Sequence, residues 1–367
     1  MINWIKVFWV VVSLILFCFE NGDDIRYFQP STLPIEDSTD VITLSIVSID
    51  DSLESDEIFL ANTAEGTPLY YFIELQTGIC FDNKCRPLDI LVYWNITGRY
   101  LGFELLDGEF LSKYDHTPFT EKEYEELHHL LADPFLPLGN YAFEELVKIP
   151  DTDKPSVDGV SGATSKDVLE YVVEGAAYTT HKLWNVVHGP IREQVMRLTE
   201  SSLDPFLFRK ILQSTDQSDR TWALERVSLL SELDGAVIEA LIGVFHEEEY
   251  FQSYLLLKSL SSHQLESEDL QLKLFDLVGK VDQGIENLIF DKLADASHLS
   301  PAVVDHSISI LKDLTGAQLV RLLKLYSHHR VKKAELMGEL SRMIPHENKY
   351  VENQVLQFLE KNSDSFD

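Results

Sequence analysis

The stretch from Leu88 to Trp94 (LDILVYW) decides the fold class of the first half of the chain. Its β-branched and aromatic residues are typical of a strand with at least one buried face. Similar stretches occur at 41–49 (VITLSIVSI) and 69–75 (LYYFIEL). Turn signals between and after them stand at Glu65-Gly66, Asp82-Asn83 and Asp107-Gly108. We therefore predict a group of mainly antiparallel strands.

Helices follow these strands. Thr120 and Glu123 form a capping box that opens one helix, and its predicted buried stripe comprises Leu127, Leu130 and Leu131. A second amphipathic helix is predicted to begin with Thr164 or Ser165 as its N-cap and to end at Gly189-Pro190. Its apolar face comprises Val168, Leu169, Val172, Val173, Ala176, Thr180, Leu183, Trp184 and Val187. The domain at 41–200 is therefore α+β.

Residues 201–367 carry a purely helical pattern in which helix-start residues recur every 33 positions. One set is Ser201, Asp234, Ser267 and Ser300, and a second is Asp216, Glu249, Asp282, Thr315 and Asn348. Two helices in each interval predict an all-α helical-repeat domain of the solenoid kind. An irregular helical bundle is the alternative.

The N-terminus has the order of an export signal. Lys6 precedes an apolar run from Val7 to Phe19, and acidic residues follow it. We interpret residues 1–22 as a signal peptide or membrane anchor and the polar residues 23–40 as a linker. Cys18 is a candidate for lipidation, with an uncleaved anchor or an atypical cleavage as the alternative.

The net charge of −31 excludes some partners. Nucleic acid and anionic membrane surfaces attract clustered Lys and Arg, so neither is expected to bind this chain. The remaining two cysteines, Cys80 and Cys85, flank the Asp82-Asn83 turn at facing positions of a hairpin. This geometry is within disulfide reach, and a structural disulfide suits an exported protein. A redox-active dithiol is the alternative, although the Cys-x-x-Cys spacing is absent.

The chemistry is expected in the stretch Asp158–Thr164 (DGVSGAT). It resembles the flavinylation motif D-x-x-[S/T]-G-A-T of the FMN-binding domains of sodium-pumping quinone reductases and related exported redox proteins. The resemblance covers roughly residues 65–190. It implies that a flavin transferase moves FMN from FAD onto the hydroxyl of Thr164 as a phosphoester. It also implies that Asp158 helps the transferase recognise the segment.

The residue types of the motif suit this chemistry. Only a hydroxyl can form the ester, and Gly162 and Ala163 leave the approach to Thr164 uncrowded. With Thr164 or Ser165 at a helix start, backbone N–H groups would face the phosphate. Ser161 completes the motif. The alternative is that these residues only cap a helix after a turn.

Other candidate residues are weaker. Six strand aromatics could include a ring that stacks on the isoalloxazine, although core packing is the stronger interpretation: Tyr70, Tyr71, Tyr93, Trp94, Tyr100 and Phe103. The histidines at 128, 129, 181 and 188 are interpreted as solvated helix-end residues, because no carboxylate or cysteine completes a metal site around them. Neither a metal ligand nor a catalytic residue is predicted.

These observations define three hypotheses. The first is an exported, membrane-tethered electron-transfer flavoprotein, periplasmic or on the cell surface, whose partners are a flavin transferase and a redox protein or membrane donor. The second is a flavin-dependent reductase of a small acceptor. The third is a cofactor-free adaptor whose helical repeats are the whole function.

We predict that Cys80 and Cys85 form a disulfide in the exported protein, because the Asp82-Asn83 turn places them opposite one another. Thiol labelling of the denatured, non-reduced protein should leave both cysteines unmodified. Quantitative labelling of both would contradict the pairing. The loop is short, so reduction should cost only about 2 kcal/mol or less of stability.

Overall fold

The computed structural model describes residues 33, 36–43, 57–77, 88–106, 108–141, 169–246 and 250–363. The chain divides into two compact units, Met1–Ser202 and Leu203–Asp367. The first unit contains the described strands and the second consists of helices, as the sequence predicts for an α+β part followed by a helical part. None of the helices in the described part of the chain has both the length and the apolar character needed to cross a bilayer.

The first unit is built on a five-stranded antiparallel sheet in the order β1-β2-β3-β4-β5. The strands are β1 (Ser38–Thr43), β2 (Glu57–Asn62), β3 (Pro68–Thr77), β4 (Leu88–Asn95) and β5 (Tyr100–Leu105). The prediction of antiparallel strands is confirmed. Gly66 has a φ of +77°, which confirms the predicted turn between β2 and β3. The predicted linker at 23–40 is too long, because Ser38–Asp40 already pair with β2.

Three helices complete the described part of this unit: α1 (Glu121–Ala132), α2 (Ala177–His188) and α3 (Pro190–Ser201). The capping box of Thr120 and Glu123 is present at the start of α1. Helix α1 packs on β5 and on α2, and α2 packs on α3. The sheet therefore has these helices on one face, toward which β3 and β4 point their most buried residues, such as Tyr71, Ile90 and Trp94.

Buried hydrogen bonds join the sheet to α2 and α3. The indole N–H of Trp94 donates to the carbonyl oxygen of Val187 over 2.9 Å, and the hydroxyl of Thr199 donates to the carbonyl oxygen of Ile96 over 2.5 Å. The guanidinium of Arg192 donates to the carbonyl oxygen of Gly98 over 2.9 Å. Gly98 has a φ of +80°, and a Cβ there would lie 2.8 Å from Met196 Cγ, so the β4–β5 turn requires glycine.

The second unit contains ten described α-helices. They are α4 (Pro205–Leu212), α5 (Gln217–Glu225), α6 (Gly235–Val244), α7 (Tyr250–Ser259), α8 (Glu268–Phe275), α9 (Gln283–Ala294), α10 (Pro301–Ser309), α11 (Gly316–His329), α12 (Ala334–Arg342) and α13 (Lys349–Ser363). Alternate helices contact one another in chain order. One row is α4, α6, α8, α10 and α12, and the other is α5, α7, α9, α11 and α13.

Most of the predicted helix starts in this unit are confirmed by N-cap hydrogen bonds. These N-caps are Asp216, Asp234, Ser267, Asp282, Ser300 and Thr315. The prediction for Ser201 is wrong, because Ser201 ends α3 and the next helix is capped by Asp204, which is followed by proline. Glu249 lies outside the described residues.

The 33-residue interval also orders the buried side chains. One fully buried column in the row that begins with α5 consists of Ala223, Leu256, Ile289, Leu322 and Val355. A second column, in the other row, consists of Val237, Leu270, Val303 and Leu336. Carbonyl groups at the same interval (Val227, Leu260 and Leu293) accept hydrogen bonds from Gln264, Lys292 and His329 of a later helix or turn. Apolar columns and side-chain hydrogen bonds therefore both link successive helix pairs.

We predict that Gln264→Leu destabilises the second unit by about 2 kcal/mol, because it removes two buried hydrogen bonds and takes the side-chain donor from the carbonyl oxygen of Leu230. The buried amide nitrogen of Gln264 donates to the carbonyl oxygens of Val227 over 2.7 Å and Leu230 over 3.0 Å. Gln357→Leu on exposed surface of α13 is the matched control and should change stability little. Urea unfolding followed by far-ultraviolet circular dichroism measures both, and equal midpoints would contradict the role of Gln264.

Candidate functional site

The predicted cofactor-binding residues lie outside the described residues. These are Asp158, Ser161, Gly162, Ala163, Thr164 and Ser165. The same holds for the cysteines at 18, 80 and 85 and for the Asp82-Asn83 turn. The structure does describe the chain on both sides of residues 142–168. We call the residues that end at Tyr141 the upstream arm and those that begin at Leu169 the downstream arm.

The upstream arm runs along α2 from its C-terminal end toward its N-terminal end. His188 Nε2 donates to the carbonyl oxygen of Leu131 over 2.8 Å, and Trp184 Nε1 donates to the carbonyl oxygen of Asp133 over 3.0 Å. His181 Nε2 lies 2.9 Å from the carbonyl oxygen of Tyr141. Three successive turns of α2 therefore hold the backbone that leads to residue 142.

The downstream arm reaches the N-terminal end of the same helix. Residues Leu169–Tyr171 form a 3-10 turn, and the backbone N–H of Val173 donates to the hydroxyl of Thr180 over 3.2 Å. The carbonyl oxygen of Gly175 accepts the N–H of Tyr114 over 2.9 Å, which ties this arm to the loop after β5. Residues 142–168 therefore connect two points that α2 fixes within its first two turns.

The prediction of one continuous helix from Ser165 to His188 is wrong. Helix α2 begins at Ala177, and Ala176 is its N-cap residue. Gly175 has a φ of +77°, which interrupts a right-handed helix. The apolar period misled the prediction because Val172 and Val173 are buried in the turn as they would be on a helix face. Thr164 therefore does not stand at the start of α2, although the predicted end at Gly189 is confirmed.

Two histidines near α2 are not solvated, which corrects the sequence interpretation. His128 on α1 is buried, and its Nδ1 lies 3.3 Å from the hydroxyl of Tyr100. The ring of His188 lies 4.6 Å from that of Trp184, and its buried Nδ1 has no hydrogen-bond partner in the described part of the chain. Burial lowers the pKa of each to about 4, and the two imidazoles are therefore neutral near pH 7.

The six aromatic candidates of the strands are core residues, as the core-packing interpretation of the sequence predicts. All of them are buried: Tyr70, Tyr71, Tyr93, Trp94, Tyr100 and Phe103. Two exposed rings, Phe135 and Tyr141, lie on the upstream arm, and Tyr114 lies in the loop after β5 that is hydrogen-bonded to the downstream arm. Phe135 is 92% exposed, and Tyr114 and Tyr141 are 45% and 41% exposed.

Tyr114, Phe135 and Tyr141 therefore leave aromatic surface accessible on the first unit. The sequence offered one usable signal for them, which is their position in turns and loops rather than in strands. Within the described residues, no group of three or more His, Cys, Asp or Glu side chains could hold a metal ion.

The sequence Asn95-Ile96-Thr97 has the pattern of an N-glycosylation site. The side chain of Asn95 is buried. Its Oδ1 accepts hydrogen bonds from the N–H of Thr97 over 3.1 Å and of Arg99 over 2.7 Å. The residue therefore shapes the β4–β5 turn and is not presented for modification.

Comparison of the chain with protein-family models, with curated proteins and with solved structures found no match.

We predict that the first unit loses stability as the pH falls from about 6.5 to about 4. In this window His128 and His188 bind protons in the unfolded state and not in the folded state. Each residue therefore lowers the free energy of unfolding by about 1.4 kcal/mol for every pH unit by which the pH falls. Above pH 6.5 this cost is absent. The charged groups beside His188 are Arg192 and Asp133, and His129 stands beside His128.

His188→Gln keeps a donor for the carbonyl of Leu131 and removes one titrating ring, so it should reduce this pH dependence by about half. The exposed His129→Gln is the matched control and should leave it nearly unchanged. Thermal melting across the pH range, followed by near-ultraviolet circular dichroism, measures the slopes. Identical slopes in wild type and His188→Gln would contradict the assignment.

Proposed function

We propose that the protein is an exported electron-transfer flavoprotein with FMN esterified to Thr164. The observation that carries this proposal is the complete D-x-x-[S/T]-G-A-T motif at Asp158–Thr164. Bound FMN supplies reversible one- and two-electron transfer. A covalent tether suits this role outside the cell, because an exported protein that loses its flavin cannot regain it from the cytoplasmic pool.

The described residues support this proposal through the frame around the motif. Helix α2 holds the chain on both sides of residues 142–168 through His181 and Thr180, and the Trp94 indole of the sheet donates to the backbone carbonyl of Val187 in α2. A rigid frame limits where a tethered cofactor can travel. The exposed rings of Phe135 and Tyr141 lie on the arm that enters this segment, where stacking on the flavin would restrict it further.

Attachment follows from the chemistry of the hydroxyl. The oxygen of Thr164 attacks the phosphorus atom of FAD that bears the riboflavin side, a new P–O bond forms, the pyrophosphate bond breaks, and AMP leaves while the hydroxyl proton is released. The protein gains the mass of FMN less one water. A flavin transferase is the required partner for this step, and a redox protein or membrane donor is the partner for turnover.

The second unit is proposed to be an α-solenoid that docks a partner. Its support is the 33-residue interval of N-caps and buried columns and the contact of alternate helices in two rows. A cofactor-free adaptor is the alternative function, and the same helical unit favours it. A reductase of a small acceptor is a further alternative. Covalent flavin in the purified protein would exclude the adaptor, and reduction of a small acceptor without a protein partner would favour the reductase.

Co-expression with a flavin transferase should give a protein band that fluoresces on a denaturing gel. Thr164→Ala should abolish the fluorescence while the protein stays folded, because the hydroxyl is the acceptor. Thr164→Ser should retain some label, since the reaction needs the oxygen and not the methyl group. Ser165→Ala is the matched control and should stay labelled. A dark wild-type band, or a fluorescent Thr164→Ala band, would contradict the proposal.

A further inference from the structure

Helix α7 presents three exposed aromatic side chains, Tyr250, Phe251 and Tyr254, which we call the aromatic patch. Their exposed fractions are 52%, 57% and 39%. The spacing i, i+1 and i+4 places them on one side of the helix. Large apolar rings exposed together are uncommon on a surface that has no partner, whereas single exposed rings are ordinary.

The aromatic patch extends from α7 to the start of α9. A Cβ atom at Gly284 would lie 2.9 Å from the hydroxyl of Tyr250 and 3.0 Å from Oδ1 of Asp282. The absence of a side chain at Gly284 therefore leaves room for the tyrosine to lie across the neighbouring helix. The patch is thus a surface shared by two helices and not a set of side chains projecting from one.

The equivalent positions of the other helices in this row show that packing does not require these rings. Positions 33 residues apart carry Gln217, Ser218 and Thr221 on α5, Gln283, Gly284 and Asn287 on α9, Gly316, Ala317 and Val320 on α11, and Lys349, Tyr350 and Asn353 on α13. Only Tyr350 among them is aromatic. The buried column that includes Leu256 packs α7 in the same way as its neighbours. The three rings are therefore an addition to a common helical framework.

A carboxylate lies at the edge of the patch, because the exposed Asp282 caps α9 beside the hydroxyl of Tyr250. The whole chain carries a net charge of −31, so a cationic partner is attracted and an anionic partner is repelled. Aromatic ring faces attract an ammonium or guanidinium group, and a nearby negative charge adds to that attraction.

Cations already lie against aromatic rings in this unit. The ammonium group of Lys258 lies 5.7 Å from the ring centroid of Tyr254, and the guanidinium of Arg226 lies 4.3 Å from that of Trp222. The first of these contacts is within the patch itself. Among the described residues, no cation lies over the ring of Tyr250 or Phe251, and these two rings are therefore open to cations from another molecule.

We propose that the aromatic patch is a docking site for a lysine- or arginine-bearing segment of a partner protein. The rings hold the side-chain cations, and the carboxylate of Asp282 and the negative net charge of the chain draw the segment to the surface. This interaction is independent of whether Thr164 carries FMN.

The test uses the full-length chain and a fluorescein-labelled dodecapeptide of alternating lysine and glycine, at low salt, with fluorescence polarisation as the readout. The wild type should bind this peptide and should not bind the matched glutamate–glycine peptide. The triple variant Tyr250→Leu, Phe251→Leu and Tyr254→Leu should weaken binding at least about tenfold, because leucine keeps apolar surface but lacks the ring face.

Tyr350→Leu is the matched control. Tyr350 is exposed at the position of α13 that is equivalent to Phe251, so this variant should bind as the wild type does. Circular dichroism should show that every variant is folded at the assay temperature, so that a loss of binding reports on the ring faces. Equal affinity of the wild type and the triple leucine variant would overturn the proposal and assign any binding to diffuse charge. The proposal would also be overturned if the wild type failed to bind the lysine–glycine peptide and instead bound phosphatidylcholine vesicles, which would identify a membrane-inserting surface.

Discussion

The hydrogen bond from the Trp94 indole to the carbonyl oxygen of Val187, 2.9 Å long and fully enclosed, joins the sheet to α2. A second buried bond, from Thr199 to Ile96, joins the sheet to α3. Each leaves a carbonyl without a donor if it is broken, and such a loss costs about 1–3 kcal/mol. Helix α2 also holds the chain on both sides of residues 142–168. The positions of the described residues that flank the motif therefore depend on the hydrogen bonds between the sheet and the helices.

Much of this fold could be predicted from local sequence signals. Alternating apolar residues identify β3 and β4, and the Thr120–Glu123 capping box identifies the start of α1, because both signals act over a few residues. The break before α2 could not be read from the apolar period. Val173 and Ala176 are buried whether the backbone is helical or turned, and only the left-handed φ of Gly175 distinguishes the two.

Properties that depend on tertiary neighbours could not be predicted from the sequence either. Nothing local to His128 or His188 indicates burial, since each follows from the packing of α1 against α2 and β5. The exposure of the three aromatic rings on α7 also depends on the packing of neighbouring helices, which no local pattern indicates. The proposed flavin attachment stands apart from these cases, because it depends on a short sequence around an acceptor hydroxyl. The proposal follows from the sequence alone, whereas the anchoring of Tyr141 and Val173 on α2 could not be predicted.

Tandem mass spectrometry of the tryptic peptide 149–166 from protein matured with a flavin transferase tests the central claim most directly. The peptide spans the whole motif, because trypsin does not cleave between Lys154 and Pro155. The account predicts a mass gain of FMN less one water, with fragment ions that place the added mass on Thr164. An unmodified peptide, or added mass on Ser161 or Ser165, would contradict it.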